Sequence, residues 1–187
     1  MKRTLLTLVM VCGLGAALAG CETPTPYQPL RPGSAQAGGY SDTQIEANRF
    51  RVTFQGNGMT ARPTVENYLL YRAAELTLSQ GYDWFETVTR GTDKHVDTYA
   101  DPIGPYGPYG GWHPYWRYYG GGFGWRGWDP YGRDPFWADG LDVTTVEKYQ
   151  AEAEIVMGHG PKPDGDHRAF DAHQVVANLS AKIVRPQ

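Results

Sequence analysis

The chain has 187 residues, a formal charge of −3 and an aromatic content of 13%. That length suits one domain with tails, and the mild acidity gives no electrostatic reason to seek nucleic acid. Both cysteines, Cys12 and Cys21, fall near the N-terminus, which excludes a disulfide-built core.

The first twenty residues read as a secretory signal peptide. Lys2 and Arg3 supply the positive start, and Leu5 to Leu18 is an uncharged apolar run. The run is shorter than the roughly 18 residues a membrane span needs. Leu18-Ala19-Gly20-Cys21 resembles the lipobox of bacterial lipoproteins. The resemblance implies cleavage between Gly20 and Cys21, a diacylglycerol on the Cys21 thiol and an acyl chain such as palmitate on the new amine. Glu22 follows; it is not the Asp that in the enterobacterial sorting pattern favours inner-membrane retention. By that resemblance the chain sits on the outer membrane and faces the periplasm. Cleavage would leave 167 residues carrying a formal −5, with no cysteine free to cross-link, so stability must come from a core or a partner.

Residues 21–48 read as a lipidated cysteine and flexible tether. Pro24, Pro26, Pro29 and Pro32 favour extended chain and oppose helix. Arg49–Gln55 alternates Phe50, Val52 and Phe54 with polar residues, the pattern of a half-buried strand. A helix is expected from Pro63 to Gln80. Val65, Leu69, Ala73 and Leu76 recur at helical spacing, Thr60 is the expected N-cap and Gly81 the stop. Arg72 and Glu75 are placed to pair on its surface. Trp84 to Arg90 reads as a second strand.

Gly38-Gly-Tyr-Ser, Arg49-Phe-Arg-Val-Thr-Phe-Gln-Gly-Asn, residues 68–85 (YLLYRAAELTLSQGYDWF) and residues 153–163 (AEIVMGHGPKP) together resemble a family of uncharacterised envelope lipoproteins of Gram-negative bacteria. What this resemblance implies is a lipid-anchored domain with no assigned activity and no catalytic residue to transfer.

Residues 103–139 differ in composition. They hold five of the six Trp, six of the 13 Tyr and ten of the 24 Gly, with almost no aliphatic residue. This stretch reads as a loosely structured insertion. Val143–Met157 then reads as a long strand with one apolar face, and a last helix starts near Asp171, with Gln174 at capping-box spacing. The expected fold is α+β: a small antiparallel sheet in the order β-α-β-insertion-β-α, with two helices on one face. Its single domain would comprise residues 49–102 and 140–184.

Chemical motifs are sparse. His159 and His167 lie near Asp164 and Asp166, but their spacing matches no closed metal motif. No nucleophile elbow or phosphate loop is present. No catalytic residue, metal or cofactor is therefore assigned. Trp112, Tyr115, Trp116, Trp125, Trp128 and Trp137 form the candidate contact surface, suited to stacking on sugars or covering a protein. The expectation is a non-enzymatic structural or binding module, held by Cys21 to the membrane and contacting an envelope protein or peptidoglycan. The alternatives are a cell-wall glycan-modifying enzyme using Glu75, Asp83 or the histidines from His159 to His173, and a metal-binding periplasmic protein.

Overall fold

The computed structural model describes residues 23–31, 38–88, 112, 114–120, 122, 124–128 and 148–186. Among these residues seven strands and two α-helices follow in the order β1 (Gly39–Glu46), β2 (Arg49–Gln55), α1 (Arg62–Ser79), β3 (Trp84–Thr87), β4 (Tyr115–Gly120), β5 (Gly124–Trp128), β6 (Lys148–Gly158), β7 (Ala169–Asp171) and α2 (Ala172–Leu179). The fold is α+β, and every pairing between these strands is antiparallel.

The 11-residue β6 organises the sheet. β2 pairs along one edge, from Gln150 to Val156. On the other edge β3 pairs with Ile155–Gly158 and β4 with Lys148–Glu152, so β3 and β4 lie end to end. β1 extends the sheet beyond β2, β7 beyond β3, and β5 beyond β4.

Alternation decides which face is covered. Phe50, Val52 and Phe54 stand opposite Ile155, Ala153 and Ala151, all of them buried. The small Ala151 sits between Phe54 and Trp116, leaving room for both rings under α1. α1 packs on β2, β3, β6 and α2. It buries Val65, Leu69, Ala73 and Leu76 as their spacing predicts, together with Tyr68, Leu70, Tyr71, Ala74 and Thr77.

Two helix ends behave as their sequence predicts. Gly81, at φ +83°, closes α1; Tyr82 N–H donates to Thr77 and Gly81 N–H to Leu78, the paired bonds of a Schellman cap. Asp171 caps α2, accepting from Gln174 N at 3.0 Å, and the Gln174 amide reaches back to it.

Other expectations are corrected. The proposed tether is not free: Thr25 and Tyr27 are buried and Gly39–Glu46 is an edge strand. Thr60 is not the N-cap of α1; Ala61 is, without a side-chain cap. The Thr60 hydroxyl instead accepts from Thr25 N at 2.8 Å and donates to Asn57 Oδ1 at 2.6 Å. The N-terminal segment has taken the group that local sequence offers to the helix. The insertion also fails as a separate unit over Tyr115–Gly120 and Gly124–Trp128, because β4 and β5 belong to the main sheet and Trp116 is 1% exposed. Trp and Tyr favour strands, and here Trp116 takes the place of an aliphatic core residue. The expected strand over 143–157 begins at Lys148 among the described residues; 143–147 lie outside them, as do 89–90 of the second strand.

Candidate functional site

The first and last described segments, 23–31 and 183–186, converge on α1. Tyr27 N–H donates to Val184 C=O at 2.7 Å, and Val184 N–H donates to the Tyr68 hydroxyl at 3.1 Å. The Tyr27 ring fills the space between them, edge-on to Tyr68 and Tyr71 and 4.9 Å from Tyr40. An aromatic residue among prolines is the only local signal for this docking.

Charged groups surround that ring. The Tyr27 hydroxyl donates to Glu75 Oε2 at 2.5 Å. Arg72 reaches Glu75 at 3.3 Å and makes a fork to Asp42, with Nε 3.1 Å from each carboxylate oxygen. Its guanidinium also lies 4.3 Å over the Tyr40 ring. Arg185 closes the cluster, 2.8 Å from Glu75 Oε1 and 5.2 Å over Tyr27. The expected Arg72–Glu75 pair exists, but as part of this half-buried cluster rather than as an isolated surface pair.

Burial raises the Tyr27 hydroxyl far above the ordinary tyrosine range, and the Glu75 carboxylate raises it further. Burial also works against the Glu75 charge, but the Tyr27 hydroxyl and the Arg185 and Arg72 guanidiniums outweigh it and hold that carboxyl below its usual value. Burial lowers Arg72 as well; Asp42 more than reverses this. Glu75 is thus kept ionised, the opposite of what a general acid at neutral pH requires. An open groove of about 530 Å³ lies beside the cluster, lined by Tyr27, Pro29, Arg31, Tyr40 and Arg185 among others.

The other sequence-nominated groups lie in different places. Asp83 accepts from Gly160 N–H at 2.6 Å and fixes the turn after β6. His159 stacks on Tyr82 at 4.4 Å, while His167 and His173 are exposed. Among the described residues no three His, Cys, Asp or Glu side chains are grouped to hold a metal. Glu66 was not nominated; burial raises its carboxyl, partly offset by Arg62.

The aromatic contact surface divides. Trp116 is core, with Arg62 4.8 Å over its ring, and cannot meet a partner. Trp112 is half-buried against Phe85 and Phe170. Tyr115 is 43% exposed. Trp125 is half-buried, with Tyr119 at 5.6 Å and the Arg117 guanidinium at 5.2 Å. Gly20, Cys21 and Trp137 lie outside the described residues, as does the side chain of Trp128. No described helix is long and apolar enough to cross a membrane. Comparison of the chain with protein families, with curated proteins and with solved structures finds no match.

Proposed function

We propose that this chain is a lipid-anchored cell-envelope protein on the periplasmic side of the outer membrane, acting as a structural or binding module rather than an enzyme. The Leu18–Cys21 lipobox and the charged start before it support the anchor. The observation that carries the structural part is the burial of Thr25 and Tyr27 just after Cys21. A lipid on Cys21 would then hold the folded domain itself close to the bilayer instead of a swinging tail. The mutual pairing of Asp42, Arg72, Glu75 and Arg185 favours a structural role for these charges. An envelope protein or peptidoglycan would meet the exposed Tyr115.

The test is Cys21→Ser expressed in a Gram-negative host. The precursor should remain uncleaved by the lipoprotein peptidase and carry no acyl mass. Mature, acylated protein in that variant would refute the anchor, and recovery of the wild type mainly in the inner membrane would refute the location.

A further inference from the structure

The place where the chain would leave the bilayer is fixed by hydrogen bonds. Thr23 C=O accepts from Asn57 Nδ2 at 2.7 Å, and Asn57 N–H donates to Thr25 Oγ1 at 2.9 Å. Cys21 is two residues before Thr23, and two residues of chain reach at most about 7 Å. Acyl chains on Cys21 would therefore emerge beside the turn that follows β2. Met59, on that turn, is 55% exposed.

The same end of the sheet carries the β4–β5 hairpin. Gly56 N–H donates to Tyr149 C=O at 2.9 Å, which ties the turn to the start of β6. Tyr149 stands opposite Tyr118, and Lys148 opposite Tyr119. β2 ends opposite Gln150, so β4 runs two residues further before the chain turns between Gly120 and Gly124. The hairpin therefore closes at the same end of the sheet as the turn after β2, two residues beyond the last β2 pair.

Its chemistry fits a lipid–water boundary. Tyr119 and Trp125 are neighbours across the two strands, on the face turned away from the helices. Arg117 lies 5.2 Å over Trp125, and Lys148 lies 5.0 Å over Tyr119. Trp and Tyr collect at the headgroup level because each has an apolar ring with a polar tip. Arg and Lys beside them can keep apolar stems along the rings and place their charges among anionic headgroups.

We propose that the closed end of the β4–β5 hairpin and the Met59 turn rest in the headgroup layer of the bilayer that holds Cys21, as a second contact that fixes the orientation of the domain. The proposal rests on the anchored reading above. Three acyl chains already far exceed the marginal hold of one, so the hairpin sets pose rather than affinity. The sheet then stands with its Gln55 and Lys148 end on the membrane and its Gly158 end away from it.

The experiment uses the full processed protein in vesicles of phosphatidylethanolamine and phosphatidylglycerol. An environment-sensitive dye is placed on one of three single substitutions: Met59→Cys, Gly122→Cys or Lys162→Cys. Gly122 has open space at its Cβ position, and Lys162 is an exposed residue in the turn after β6. The dye at 59 and at 122 should shift to the blue and be quenched by doxyl-labelled lipid, while the dye at 162 stays water-like and unquenched. Acylated, vesicle-bound protein with all three dyes water-like would overturn the inference and leave the anchor standing. A blue shift at 122 without lipid quenching would also overturn it, and would place a second copy of the chain on the hairpin. Mass spectrometry of the same sample reads the anchor separately; absence of acyl mass overturns the anchored reading and this inference together.

Discussion

Tyr27 links the charge cluster to the aromatic core, and its two parts can be separated. Tyr27→Phe keeps the ring against Tyr40, Tyr68 and Tyr71 but removes the bond to Glu75. A hydrogen bond to a charged group contributes about 1.5–3 kcal/mol. Partial solvation of Glu75 puts the expected loss near the lower end of that range. Tyr27→Ala also removes the ring and should cost about 3–5 kcal/mol, by analogy with buried aromatics. Urea midpoints of the two variants check this order; equal losses would show that the ring contributes nothing.

The same residues give the stability curve its pH dependence. The folded pKa of Tyr27 is raised, so its contribution is complete below the ordinary tyrosine value and is lost as pH climbs above about 10. The folded pKa of Glu75 is lowered, so its contribution is present above the ordinary glutamate value and disappears on acidification. Glu66 has the opposite sign: its pKa is raised, so the stability it supports is lost as pH rises. Glu75→Gln should therefore lower stability at pH 7 and flatten the acid limb. Glu66→Gln should not lower stability at pH 7. Denaturant midpoints from pH 3 to 8, within the ordinary carboxylate range of about 4 and above it, decide between these signs.

Two elements matter most for folding. In α1, Leu69 is completely buried, and Leu69→Ala should cost about 2–5 kcal/mol. Thermal unfolding checks it, and an unchanged midpoint would mean a wrong helix phase. In β4, Trp116 fills space beside Ala151 that no aliphatic residue occupies. Trp116→Ala should cost about 3–5 kcal/mol. Composition alone made residues 103–139 read as a loosely structured insertion, whose removal would spare the fold. The pairing of β4 with β6 changes that expectation: replacing the stretch by a short turn strips half of one edge of the central strand and should abolish the native circular dichroism. Trp125→Ala, at a half-buried position on the other face of the hairpin, should be much milder.

On the scale of the whole molecule, the first and last described segments are held by each other. Residues 23–31 meet the C-terminal segment through Tyr27 and Val184, and Arg185 pairs with Glu75. Removing residues 183–187 should uncover Tyr27 and release the N-terminal segment. The expected result is a lower midpoint together with new protease cleavage between residues 23 and 31, read by mass spectrometry. Cleavage unchanged from the full chain would show that the N-terminal segment holds without its partner. In an anchored protein, release of this segment would convert a close-held domain into one on a longer leash.

What the sequence determined by itself is local and periodic. The phase of α1, the alternation of β2 and β6, the Gly81 stop and the Asp171 cap each depend on residues within about one or two turns of one another, which propensity and periodicity report directly. The α+β class followed from the order of those elements. In the candidate site only the Arg72–Glu75 spacing was readable. Tyr27 and Arg185 join Glu75 from 48 and 110 residues away, and no short-range pattern carries such a contact. Tertiary structure also decided that Thr60 binds Thr25 instead of capping its own helix. It decided as well that an aromatic, glycine-rich stretch supplies core. The physical reason is common to these cases. A buried polar or aromatic group settles where its hydrogen bonds and ring area are both satisfied, and here those partners are brought close only by the pairing of β4 and β6 and the docking of residues 23–31 and 183–186 on α1.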